Sequence, residues 1–94
     1  MSTIGEQRIK LIETTVRASL KPTHCEVEDE SHLHAGHAGA KTGMGHFHLT
    51  VVSDAFEGLS MLRRHRLIYD AVGKLMQSDI HALRIDAHSP SEIN

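Results

Sequence analysis

The sequence predicts one small α+β domain with its elements in the order α-β-β-α-β. Two periodicities carry that expectation. Apolar residues recur every three or four positions over residues 5–20 and 61–76, which marks amphipathic helices. They alternate with polar ones over 24–29, 46–53 and 80–87, which marks half-buried strands. The third observation is size: 94 residues with 39% hydrophobic and 3% aromatic residues make a single domain, 1–94, with a small aliphatic core. The second and third strands are joined through a helix, so in one sheet they should run parallel. The sheet is then mixed and three-stranded, with helices packed on one face.

In the first helix Ile9, Ile12, Val16 and Leu20 form the apolar stripe. Glu6, Arg8, Lys10, Glu13 and Arg17 can face water, Ser2 or Thr3 can cap the start, and Pro22 ends the helix. His24–Asp29 places Cys25 and Val27 on one face and His24, Glu26 and Glu28 on the other. In the second strand Phe47, Leu49 and Val51 point one way and His46, His48, Thr50 and Val52 the other. Asp54 to Gly58 reads as a turn. Ser60 caps a helix expected over Met61–Met76, with Met61, His65, Ile68, Val72 and Leu75 buried and Arg63, Arg64, Arg66 and Asp70 off the stripe. In the third strand Leu83 and Ile85 share a face headed by His81. Ser89-Pro90-Ser91-Glu92 has the form of a helix start.

Between the first two strands lies Ser31–His48, with five of the nine histidines and four of the seven glycines. It is too glycine-rich to propagate a helix. Imidazole is the commonest protein metal ligand, so His32, His34 and His37 are candidate ligands. On spacing alone the blander reading, decoration of a polar loop, is the favoured one. His65, inside the expected apolar stripe, reads as a semi-buried structural histidine. Arg63, Arg64 and Arg66 form a small positive site that is either a solvated face or a phosphate contact. No nucleophile–base pair, carboxylate dyad or phosphate-cradling loop stands out, so no enzymatic activity is expected. Gly36-His37-Ala38-Gly39 has the letters of a nucleic-acid-clamping GXXG loop, but it lies between strands instead of helices.

Composition narrows the classes further. The net charge of −2 with neutral histidines gives no global attraction to nucleic acid or anionic membranes. Scarce aromatics argue against base stacking on single strands. One cysteine, Cys25, excludes an intrachain disulfide and suits a reducing compartment, read as the cytoplasm. No apolar run approaches a membrane span, and the first ten residues lack the apolar core of a signal peptide.

Several strings together resemble the BolA family: Val51-Val52-Ser53-Asp54-Ala55-Phe56-Glu57-Gly58-Leu59-Ser60, Arg64-His65-Arg66-Leu67-Ile68-Tyr69, Ile80-His81-Ala82-Leu83 and Ser89-Pro90-Ser91-Glu92. His46-Phe47 and Asp29-Glu30-Ser31 fit the family's strand start and strand end. The resemblance implies a type II KH-like fold, α-β-β-α-α-β, with a short helical turn added near Leu59–Leu62. It also implies a partner, a monothiol glutaredoxin of the CGFS class, with a [2Fe–2S] cluster held between the two proteins. Glutaredoxin and its glutathione would supply two thiolates. This chain would supply His81 and one loop histidine, His34 by alignment, with His32 and His37 as alternates and His46 as a structural neighbour. The isolated chain would be a cofactor-free monomer. Some family members are thought to bind DNA, and here that role would fall to Arg63, Arg64, Arg66 and Lys74.

Overall fold

The computed structural model describes residues 2–34 and 43–93, with the side chains of Leu33 and His34 outside the description. His37 therefore lies outside the described residues. The elements are α1 (Ile4–Leu20), β1 (His24–Asp29), a 3₁₀ turn (Ser31–His34), β2 (Gly45–Val52), a second 3₁₀ turn (Asp54–Phe56), α2 (Met61–Val72), α3 (Leu75–Ser78), β3 (Ile80–His88) and α4 (Pro90–Ile93). The sheet order is β1-β2-β3. β1 pairs antiparallel with β2 and β3 parallel with β2, as the helical connection demanded.

The alternation of the strands creates one apolar face. Cys25 and Val27 on β1, Phe47, Leu49 and Val51 on β2, and Leu83 and Ala87 on β3 are all buried. Ile12, Val16 and Leu20 of α1 and Ile68 and Val72 of α2 close over that face in one cluster. Thr3 Oγ1 accepts the Glu6 N–H at 3.1 Å and so caps α1. Ser60 Oγ accepts the Arg63 N–H at 3.3 Å and so caps α2. Gly58 takes a φ of +74° in the turn between β2 and α2, a conformation that a Cβ disfavours.

Three expectations are corrected. The helix read as Met61–Met76 ends at Val72. Past Gly73 the Met76 and Gln77 N–H groups bond back three residues, to Gly73 and Lys74, which is the tighter 3₁₀ pattern. The extra short helix therefore follows α2 as α3. No separate helical turn precedes α2 at Leu59–Leu62; the 3₁₀ turn before it lies at Asp54–Phe56, where the Ser53 side chain accepts the Ala55 N–H.

The buried stripe of α2 is the third correction. It reads Arg64, Ile68 and Val72: Ile68 and Val72 stand as expected, but Arg64 takes the place expected for His65, and Met61 is 51% exposed. Arg64 is 5% exposed because its donors are matched inside the protein. Its Nε bonds the Leu59 carbonyl at 2.9 Å, Nη1 the Ala87 carbonyl at 3.1 Å, and the fork grips both oxygens of Glu92 at 2.6 and 3.1 Å. A buried guanidinium is tolerated when it is paired in this way. Glu92 Oε1 also accepts the Ser89 N–H at 2.8 Å, the reach-back expected of the tail, while Glu57 takes the Ser91 N–H and hydroxyl. The C-terminal turn is thereby locked onto α2.

The lock is sensitive to acid. The Arg64 guanidinium, seconded by the Ser89 N–H, holds the Glu92 carboxyl down to about 2 from 4.5. A carboxylate with a depressed folded pKa stabilises the protein above its unfolded pKa and loses that contribution as pH falls through the folded value. The thermal midpoint should therefore drop more steeply between about pH 4.5 and 2 in the wild type than in Glu92→Gln. At neutral pH Arg64→Ala should lower the midpoint more than Arg63→Ala. Parallel pH profiles for wild type and Glu92→Gln would contradict the lock.

Candidate metal centre

The site sits where β2 and β3 begin. Parallel pairing sets Gly45 opposite Ile80 but His46 opposite Ala82. His81 is the extra residue, a β-bulge in β3. Upstream of the bulge the in–out order of the strand is inverted. Ile80 takes the core side and is 0% exposed, while His81 projects outward and is exposed. This corrects the expected face of His81: it does not share the side of Leu83. The bulge releases one imidazole that strict alternation would have buried.

The His81 ring lies beside that of His46, with centroids 5.0 Å apart and planes tilted by 51°. His46 is 8% exposed, so the inner ring of the pair is fixed by packing and the outer one is accessible. A close approach shapes the strand start. A Cβ on Gly45 would come within 2.6 Å of the Phe47 ring and 3.0 Å of Ser31 Oγ, so only glycine fits without displacement.

The loop side of the site is built by Asp29-Glu30-Ser31. Asp29 Oδ1 accepts the Ser31 N–H at 2.9 Å, an Asx turn that bends the chain out of β1. Ser31 Oγ then accepts the His46 N–H at 3.1 Å, and the Glu30 N–H bonds the His46 carbonyl at 2.7 Å. Glu30 accepts from Arg84 of β3 in a fork, at 2.7 and 3.3 Å. The 3₁₀ turn carrying His32 and His34 is thus tied to both neighbouring strands at the sheet end that presents His81. His32 is exposed.

On the uncovered sheet face Arg84 Nη2 lies 3.2 Å from His48 Nδ1, and His48 Nε2 lies 2.6 Å from Asp86 Oδ2. An arginine can only donate, so His48 accepts at Nδ1 and donates from Nε2 to Asp86. That hydrogen bond is the main reason the Asp86 carboxyl is lowered. The geometry makes His48 a strut between neighbouring residues of the sheet face. Strand alternation alone places it on the open face and says nothing of these partners. The cross-strand pairs His48–Arg84 and Thr50–Asp86 were the signal that could have found the network.

The remaining candidates separate clearly. Arg63, Arg66 and Lys74 are exposed, whereas Arg64 is enclosed by the C-terminal lock, which removes it from the phosphate-contacting set. His65 is half-buried. Cys25 is buried and pairs with Val51, at the opposite end of the sheet. It lies four strand positions, about 13 Å, from Asp29. Burial is the main cause that raises its thiol pKa. Among the described residues no three His, Cys, Asp or Glu side chains are grouped to hold a metal ion. Among the described residues His81 and His32 are exposed imidazoles at this end of the sheet.

A mixed three-stranded sheet with helices on one face and a bulged histidine at its head defines a small α+β domain of the KH-like kind. Residues 16–92 match the family model described as BolA-like protein, and the chain belongs to the BolA-like family. It is 45% identical over 95 residues to SufE-like protein 1, chloroplastic/mitochondrial, of Arabidopsis thaliana, an alignment covering 96% of this chain and 25% of that protein. The chain thus spans a quarter of that relative's length. A bolA-like protein of Caenorhabditis elegans is 44% identical over 88 residues, covering 93% of this chain and 79% of its own. The DNA-binding transcriptional regulator BolA of Escherichia coli K12 is 37% identical over 81 residues, covering 86% and 74%. Among solved structures, the BolA domain of SufE1 from Arabidopsis thaliana superposes with a TM-score of 0.80 at 45% identity, covering 90% of this chain and 94% of that one. No helix among the described residues is long and apolar enough to cross a membrane.

The bulge makes a direct prediction. Ile80→Ala should destabilise the protein by about 2–5 kcal/mol, the usual range for truncating a buried isoleucine. His81→Ala, at an exposed position, should stay within about 0.5 kcal/mol. Urea unfolding of the two variants decides the point, because an unbulged strand would reverse the order.

Proposed function

We propose that this BolA-like protein is a non-enzymatic iron–sulfur accessory or regulatory protein. It pairs with a CGFS monothiol glutaredoxin and co-ligates a [2Fe–2S] cluster for cluster trafficking or iron sensing. The observation that carries the reading is the bulge. It presents His81 to solvent beside His46, at the sheet end where the turn bearing His32 and His34 leaves β1. His81 and His34 are the proposed ligands, with His32 and His37 as alternates. The partner and its glutathione supply two thiolates.

Each component has a physical role in this account. The bound cluster supplies one-electron chemistry, and imidazole ligation in place of thiolate raises its potential. His81, on a strand, offers one fixed contact. The turn after Ser31 offers the second from a different segment, so the chain can close on a cluster its partner already holds. Cys25 is buried at the other end of the sheet and does not compete with the partner's thiolates. The isolated chain is read as a cofactor-free monomer, working in a reducing compartment such as the cytoplasm.

A second reading, direct DNA binding, is favoured by the exposure of Arg63 and Arg66 on one helix and of Lys74 after it. The name of the Escherichia coli relative also supports it. Arg64 plays no part in this version.

Titrating the protein into cluster-loaded monothiol glutaredoxin, followed by visible absorption and circular dichroism, tests the first reading. A new heterocomplex spectrum is expected with the wild type and is lost in His81→Ala. His34→Ala should weaken it more than His32→Ala or His37→Ala, and equal effects from all three would sink the assignment of His34. Unchanged glutaredoxin spectra combined with tight DNA binding would overturn the cluster reading in favour of the second. In that case removing Arg63 or Arg66 should each reduce the salt slope of DNA binding by about 1.

A further inference from the structure

Arg8 departs from its expected place in water. Its side chain is 14% exposed, and its guanidinium leaves α1 to bond two separate segments. Nε donates to Asp79 Oδ1 at 3.1 Å, and Nη1 donates to the Gly43 carbonyl at 2.9 Å. Asp79 immediately precedes β3 and stands two residues before His81. Gly43 stands three residues before His46, on the limb that returns from the hairpin loop into β2. The same two segments meet through their backbones, where the Gly45 N–H donates to the Asp79 carbonyl at 2.9 Å. Ser78 Oγ donates to the other Asp79 carboxylate oxygen at 2.8 Å. Arg8 also lines one cleft with Asp29, Ser31, Gly43 and His46, so the tie and the histidine pair belong to one corner of the molecule.

We infer that Arg8 is a positioning residue for the site proposed above, holding the hairpin limb that leads to His46 in register with the bulge that carries His81. The inference rests on the cluster reading. A planar guanidinium can bridge a carboxylate and a carbonyl at once from a fixed fork, whereas a single ammonium cannot hold the same pair of directions. The tie sits at the strand starts, where the sheet has no further rungs to fix the register. A bulge is a local break in the ladder, so the two strands need an outside constraint there. With the limbs already fixed, the imidazoles require less ordering when the partner arrives.

The test compares wild type, Arg8→Lys and Arg8→Met, with Lys10→Met as a control from the exposed face of the same helix. In the isolated protein, amide exchange at Gly45 should accelerate about tenfold in both Arg8 variants, the loss of roughly one hydrogen bond's net contribution, and should not change in the control. With cluster-loaded monothiol glutaredoxin, both Arg8 variants should need several-fold more protein for half of the His81-dependent spectral change. Unchanged Gly45 exchange in a folded Arg8→Lys or Arg8→Met variant overturns the tie. Faster exchange with an unchanged titration makes Arg8 merely structural and overturns the positioning role. Failure of the wild type to give any His81-dependent spectrum is a different result: it removes the cluster reading, and the positioning role falls with it, whatever the exchange data show.

Discussion

The parallel pairing of β2 with β3, together with the single extra residue it accommodates, is the constraint on which the rest depends. Parallel strands need a crossover, and α2 with α3 supplies it on the one apolar face. That crossover brings the start of β3 beside the start of β2, and therefore beside the end of β1 and the turn after it. Residues separated by almost fifty positions become neighbours at one end of the sheet. The bulge then decides which side chain faces out there. Without it Ile80 would meet water and His81 the core. With it the core receives an isoleucine and the surface an imidazole.

Charged side chains fasten the periphery around that arrangement, and each fastening joins elements distant in sequence. Arg64 binds the crossover helix to the C-terminal turn through Glu92. Arg84 binds β3 to the exit of β1 through Glu30. Arg8 binds the first helix to the entry of β3 through Asp79. Exposed ion pairs in isolation contribute little. Arg64 and Arg84 take both oxygens of their carboxylate, and Arg8 adds a backbone carbonyl to its own. These forks specify geometry as well as adding energy.

Most of the architecture was legible in the sequence because periodicity is a local property. The extent of β1, the caps by Thr3 and Ser60, the turn at Gly58, the Glu92 reach-back and the parallel connection all follow from neighbouring residues or simple chain rules. What was not legible is long-range. Nothing in the spacing of Arg63-Arg64-His65-Arg66 says that the second of the three arginines turns inward, since that depends on carbonyls at Leu59 and Ala87 and a carboxylate at Glu92. The face of His81 was misplaced because alternation assumes an unbroken ladder. The bulge exists only in the pairing with β2. Arg8 looked like any solvated helix position, and its two acceptors lie 35 and 71 residues away. The histidines of the loop were visible at once. Their candidacy as ligands came from imidazole chemistry and the choice of His34 among them from family resemblance, and the fold adds the pairing of the His81 and His46 rings.

The lone thiol gives the molecule an internal clock of its own opening. Cys25 faces the core from β1, and burial keeps its thiolate scarce as well as sheltered. Alkylating reagents attack the thiolate, so modification must wait until β1 lifts away from α1. The rate of labelling then measures how often that end of the domain opens, with no probe introduced. The same shelter keeps the folded protein's own thiol out of thiol–disulfide exchange.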